Sequence, residues 1–115
     1  MKLYAAYIKE REGLEMSFDD HCFITYKLDS GDVIIYDIYS DKEVRGTGHM
    51  LKFCDEFFKH LSNKGVESAY GFTDESTNGW EYSDKLLKTY GFNFIGKNPE
   101  NTNMNNYFMK LKIGE

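Results

Sequence analysis

The residues with the clearest chemical potential are Val44-Arg45-Gly46-Thr47-Gly48-His49, a polar turn between an apolar run and a long amphipathic one. A strand that feeds a glycine turn into a helix start is a place where an anion can sit. The first N–H groups of a helix have no intrahelical partner, and the helix dipole is positive at that end. Of the phosphate motifs, Gly-x-x-x-x-Gly-Lys-Ser/Thr is absent, and so is Gly-x-Gly-x-x-Gly with an acidic residue about 20 positions on. Arg45-x-x-Gly48 remains, a candidate phosphate site.

Proton transfer needs other groups. Asp37 stands inside an apolar run, where a carboxylate must be paired, hydrated or functional. Asp32 closes Asp29-Ser30-Gly31-Asp32 and reads as a turn residue. Tyr82 and Tyr90 are phenols in the chain after the turn. His21, His49 and His60 form no ligand spacing with each other or with Cys22 and Cys54, so no metal is expected.

The elements that must position these groups follow from periodicity. Leu3 to Lys9, rich in tyrosine and aliphatics, reads as a first strand, and Glu10 to Glu15, with Gly13, as a charged turn. From His21 to Leu28, Cys22, Ile24, Tyr26 and Leu28 alternate with Phe23, Thr25 and Lys27. The Asp-Ser-Gly-Asp turn then makes an antiparallel hairpin with Val33 to Tyr39, which is apolar on both faces. Met50, Cys54, Phe57, Phe58 and Leu61 recur at helical steps, and Gly65 ends that helix. Val66 to Thr73 reads as a strand, and Asp74 to Gly79 as a polar loop. A second helix carries Trp80, Ser83, Leu86, Leu87 and Tyr90 and ends at Gly91. Phe92 to Lys97 and Met104 to Ile113 are two closing strands, joined by an asparagine-rich loop from Asn98 to Asn103. The crossover from Val33 to Thr73 is expected to be parallel and right-handed, within an otherwise antiparallel sheet.

Val44-Arg45-Gly46-Thr47-Gly48, followed by Met50-Leu51, resembles the acetyl-CoA signature Arg/Gln-x-x-Gly-x-Gly/Ala of the GNAT N-acetyltransferases. Met50 stands where the second small residue is usual, and its side chain must point back along the helix to leave room. Lys85-Leu86-Leu87-Lys88-Thr89-Tyr90-Gly91-Phe92 resembles the family's second signature, a helix ending in Tyr-x-x-x-Gly-Phe. The resemblance covers roughly His21 to Ile113. It implies an α/β fold: a mixed, mostly antiparallel sheet with a splayed parallel strand pair, Val33–Tyr39 and Val66–Thr73, and two main helices.

The same resemblance implies acetyl transfer from acetyl-CoA to a primary amine, a protein lysine or N-terminus or a small amine, by direct attack. The CoA-binding residues it implies are Tyr39, Ser40, Arg45, Gly46, Thr47, Gly48, His49, Met50 and Asn78. For the catalytic acid or base, the candidates are Asp37, Asp32 and Tyr90. The family's tyrosine acid falls on Leu87 here, one helical turn before Tyr90. Residues 1–20 are too few for the helices that usually wall the acceptor site, so that side is expected to be open or to be completed by a second subunit. The alternative is a catalytically inactive GNAT-fold module that binds or inhibits a protein partner; a weaker one is an unrelated mixed-sheet domain.

Composition sets bounds on all of this. The chain has 115 residues, 41% hydrophobic and 17% aromatic, which is expected to make one domain, residues 1–115, with a real core. The net charge of −5 gives no electrostatic basis for nucleic-acid binding. No apolar run approaches the ~20 residues of a membrane span. Two cysteines without a C-x-x-C pair or a secretory leader fit buried free thiols in a cytoplasmic protein.

Overall fold

The computed structural model describes residues 1–111. Along them run α1 (Lys2–Glu12), β1 (Glu15–Phe18), β2 (Cys22–Asp29), β3 (Asp32–Ser40), α2 (His49–Asn63), β4 (Ser68–Asp74), α3 (Trp80–Tyr90), β5 (Asn93–Asn98) and β6 (Asn101–Lys110). The strands form one six-stranded sheet in the order β1-β2-β3-β4-β6-β5. Every neighbouring pair is antiparallel except β3–β4, the pair joined through α2.

The core lies between the sheet and the two later helices. From α2, Met50, Cys54, Phe57, Phe58 and Leu61 are buried against Cys22, Ile24, Val33, Ile35 and Ala69 of the strands. Each such side chain contributes about 1.5–3 kcal/mol through burial, which is why the helical spacing of these five decides the face that α2 presents. Leu86 and Leu87 of α3 belong to the same cluster, with Val66, Phe92, Tyr107 and Leu111. Both helices stop where a glycine takes the left-handed conformation: Gly65 at φ 93° and Gly91 at φ 130°.

Three expectations are corrected. Leu3 to Lys9 is not a strand but the middle of α1. Ile8 is its one β-branched residue, its alanines, lysines and glutamates favour helix, and Gly13 at φ 69° caps it with an N–H bond to the Lys9 carbonyl. The stretch read as turn partly becomes β1, with Glu15 opposite Tyr26 and Phe18 opposite Phe23. The asparagine-rich loop is a tight hairpin instead: Asn98 pairs with Asn101, and Asn101 to Asn103 already belong to β6. Lys112 and Ile113 lie outside the described residues.

Candidate functional site

The site begins where two strands part. β3 and β4 pair only through Asp32↔Ser68, Val33↔Ala69 and Ile34↔Tyr70, although β3 runs on to Ser40 and β4 to Asp74. The cause is visible in the neighbouring ladder. Thr25 opposes Asp37 while Tyr26 opposes Ile35, so Tyr36 is an extra residue and β3 bulges just past its last pair with β4. A bulge bends its strand, and beyond this one β3 makes no further pair with β4. The gap is a cavity of about 220 Å³ whose lining includes Asp37, Ile38, Thr73, Asn78, Ser83 and Leu87.

Residues 41–48 carry the chain from β3 to α2. Gly46 and Gly48 have φ of 80° and 84°, values that only glycine adopts without strain. Gly48 is the residue before α2, and no side chain caps the helix start. The first intrahelical bond runs from Lys52 N–H to the Gly48 carbonyl, and Thr47 Oγ1 accepts the His49 N–H at 3.3 Å. The N–H groups of Met50 and Leu51 are left at the positive end of the helix. They border a second cavity, about 530 Å³, lined also by Arg45, Gly46, Gly48, Tyr82 and Lys85. Two cations, a glycine turn and a helix start around one open space fit a pyrophosphate.

Arg45 is held in place there. Its Nε donates to the Ser40 carbonyl at 3.0 Å, and its guanidinium lies 4.8 Å from the Tyr82 ring centre and 5.4 Å from that of Tyr39. Tyr82 Oη and Ser40 Oγ are 2.6 Å apart. Two cation–π contacts at about 0.5–1 kcal/mol each and a hydrogen bond pre-order the side chain. Met50 is buried in the core cluster while also lining this cavity.

The predicted residues separate into two groups. Arg45, Gly46, Gly48 and Met50 line the larger cavity, and Asp37 and Asn78 the smaller. Asp37 Oδ2 accepts a hydrogen bond from Thr25 Oγ1 at 3.0 Å. Tyr39, Ser40, Thr47 and His49 line neither; Tyr39 packs on Phe23, with ring centres 5.5 Å apart. Asp32 lines neither cavity: it is the first residue of β3, opposite Asp29 and Ser68 at the closed end of the opening. Tyr90 also lines neither cavity. Its hydroxyl donates to Asp55 Oδ1 at 2.9 Å and its ring packs on Phe58, and burial first, then Asp55, pushes its pKa above the usual phenol range.

The structure also assembles groups that sequence reading missed. The His21 and His49 rings meet edge to face at 5.6 Å. His49 Nε2 lies 2.8 Å from Asp19 Oδ2, and His21 Nδ1 lies 2.9 Å from Asp41 Oδ2. The hydrogen bond that the His21 ring donates to the Asp41 carboxylate holds the His21 pKa above its ordinary value. Burial pushes Asp19 upward, but hydrogen bonds from the His21 and Cys22 N–H groups and from His49 outweigh it and leave the carboxyl below its ordinary pKa. Burial also pushes the Cys22 thiol up to about 11. The Asp-x-His-Cys run from Asp19 to Cys22 was the only local signal; His49 joins it through tertiary contact alone.

No protein-family model matches the sequence, and no curated protein sequence matches it significantly. Solved structures do. The PaiA N-acetyltransferase of Thermoplasma acidophilum, in complex with coenzyme A, superposes with a TM-score of 0.71 at 15% identity, over 95% of this chain and 69% of its own. The ribosomal-protein-S18-alanine N-acetyltransferase of Escherichia coli gives 0.64 at 12%, over 99% and 78%. Ard1 of Thermoplasma volcanium gives 0.64 at 15%, over 80% and 64%, so the chain spans less than two thirds of that neighbour's length. Acetyltransferases of the GNAT family recur among the other matches. With its mixed six-stranded sheet, its single parallel pair and these neighbours, the chain has the GNAT fold.

Proposed function

We propose that the chain is an acetyl-CoA-dependent N-acetyltransferase whose acceptor is a primary amine, on a protein N-terminus or lysine or on a small molecule. The observation that carries this reading is the gap between β3 and β4 beside the anion-binding turn. The coenzyme A complex of one structural neighbour and the S18-alanine specificity of another support it. Acetyl-CoA supplies the acetyl group as a reactive thioester. Gly46, Gly48 and the Met50 and Leu51 N–H groups, with Arg45 and Lys85, would hold the pyrophosphate. Strand groups of β3 left without a ladder partner, and Asn78, would hold the pantetheine arm. Asp37 would take the proton of the incoming ammonium, directly or through a water.

The exposed rings of Tyr4, Tyr7 and Tyr39 favour an open acceptor side that a second copy of the chain could cover, which sedimentation would detect. The alternative, a binding module or inhibitor without turnover, is favoured by Leu87. It occupies the place of the family's tyrosine acid and is only 3% exposed.

Calorimetry with acetyl-CoA on the wild type, Gly48→Asn and Gly48→Asp tests the site. Asparagine and aspartate both tolerate positive φ, so their difference isolates the added charge. Micromolar binding retained by Gly48→Asn and lost in Gly48→Asp is expected. No binding by the wild type would overturn the reading, and binding without transfer to any of a panel of amines would favour the module.

A further inference from the structure

We propose that Asp19, Cys22 and His49 form a zinc site that ties the β1–β2 turn to the first turn of α2. One carboxylate oxygen, the Cys22 sulfur and one His49 ring nitrogen all lie within 4.8 Å of one another. Two ligands of one zinc ion can be separated by at most the sum of their bonds, about 4.3 Å for thiolate and imidazole. The three donors therefore need to move by about an ångström or less. The Asp19–His49 contact opens from 2.8 Å, and the sulfur draws in.

The carboxylate is already aimed. Asp19 Oδ1 accepts the N–H groups of His21 and Cys22, both at 2.7 Å, which leaves Oδ2 turned toward His49. Supporting hydrogen bonds of this kind orient a ligand before the metal arrives. The His21 ring, edge-on to His49, stops the imidazole from swinging away, and its own Asp41 partner holds it there. The fourth position is left to solvent, since the side chains of Asp19 and His49 are each 36% exposed.

The donor chemistry selects the ion. One nitrogen, one sulfur and one oxygen suit zinc; calcium and magnesium take oxygen ligands in larger number. The charges also close: a carboxylate and a thiolate neutralise a divalent cation in a half-buried place where an unpaired charge would be costly. Binding breaks the Cys22 S–H bond, shifts the neutral His49 ring proton from Nε2 to Nδ1, forms the S–Zn and N–Zn bonds and releases one proton, that of the thiol, to the buffer. The ion would stiffen the turn that leads to the anion cavity. The site does not rest on the acetyl-transfer reading.

The full chain, treated with a chelator and then titrated with zinc chloride, gives the test. One equivalent should bind and raise the unfolding temperature, with a proton released as measured in buffers of different ionisation enthalpy. Cobalt(II) in place of zinc should show the near-ultraviolet thiolate charge-transfer band of a sulfur ligand. Cys22→Ala should abolish that band and weaken zinc binding by more than the ~10–100-fold that loss of a supporting hydrogen bond costs. His49→Gln, at a half-exposed position, should weaken zinc as much, and Cys54→Ala should keep both signals. Failure of the wild type to bind zinc would overturn the proposal. So would a charge-transfer band that survives Cys22→Ala, or full affinity in His49→Gln, which decides the matter alone if Cys22→Ala does not fold.

Discussion

Tyr107 of β6 donates its hydroxyl hydrogen bond to Asp84 of α3, a charged group almost wholly buried between helix and sheet. Thr73 of β4 donates to the same oxygen at 3.0 Å, and Lys88 pairs with the other at 2.9 Å. Burial alone pushes the Asp84 pKa up, but these three partners outweigh it and the carboxyl titrates below its ordinary value. A lowered pKa means that the unfolded chain binds the proton more readily. Asp84 therefore stabilises fully above the unfolded aspartate pKa, about 3.9, and its contribution is lost as pH falls toward and through the folded value.

Asp84→Asn should accordingly cost about 1–3 kcal/mol at neutral pH and progressively less below about pH 4. Urea midpoints of variant and wild type across that range measure the difference. Asp19, Asp41, Asp74 and Glu75 also titrate low, so both proteins should weaken in acid. Only the gap between them reports Asp84. A gap that stays constant would mean that the partners of Asp84 do not favour its charged form.

Gly71→Ala should be neutral or stabilising by about 0.5–1 kcal/mol. An added Cβ would meet Leu87 Cδ1 at 3.5 Å and Phe92 Cε2 at 3.7 Å, ordinary van der Waals contacts, and Gly71 is not among the glycines at positive φ. Gly48→Ala meets nothing within 4 Å yet should destabilise, because φ there is +84°. Thermal unfolding of the two variants should move in opposite directions or leave Gly71→Ala unmoved; a drop for Gly71→Ala would mean that β4 and α3 are packed more tightly than these distances.

Arg45→Ala should weaken acetyl-CoA binding by roughly 10–100-fold, the worth of one charge-assisted hydrogen bond of about 1.5–3 kcal/mol. The loss should shrink in high salt, where the arginine's attraction for phosphate is screened. Tyr82→Phe removes the 2.6 Å contact with Ser40 but keeps the ring under the guanidinium, so it should cost less. Equal losses in calorimetric titrations would show that the tyrosine acts on the ligand rather than on Arg45.

The parts of the fold legible in the sequence are those where one local pattern decides burial. The five apolar residues of α2 and the two glycine helix ends were readable because each is set by residues within a turn or two, whereas β2 buries Thr25 and exposes Leu28 against the alternation read from its sequence. α1 was not, because it buries only Ile8: tyrosines that read as strand formers lie on its exposed surface. β6 hid its first turn-proximal residues behind asparagines, which disfavour strands but are held here by pairing with β5. The site divides in the same way. The glycine turn is local and was found, whereas the meeting of His21 with His49 and of Asp84 with Tyr107 depends on elements far apart in sequence.

Asp37 offers the sharpest test of chemistry. It lines the gap just past the bulge at Tyr36, opposite Thr25, whose hydroxyl holds one carboxylate oxygen at 3.0 Å. Asp37→Asn preserves size and can keep a hydrogen bond to Thr25, so the fold and acetyl-CoA affinity should stay as in the wild type. A general base contributes about 10²–10⁴-fold, so kcat should fall by that amount while the KM for acetyl-CoA is unchanged. The remaining rate should rise with pH, since an amine that arrives already deprotonated needs no base. If instead Asp37→Asn lowers the rate less than about tenfold and leaves the pH profile intact, the ammonium loses its proton to solvent and Asp37 serves only to pin β3 to β2.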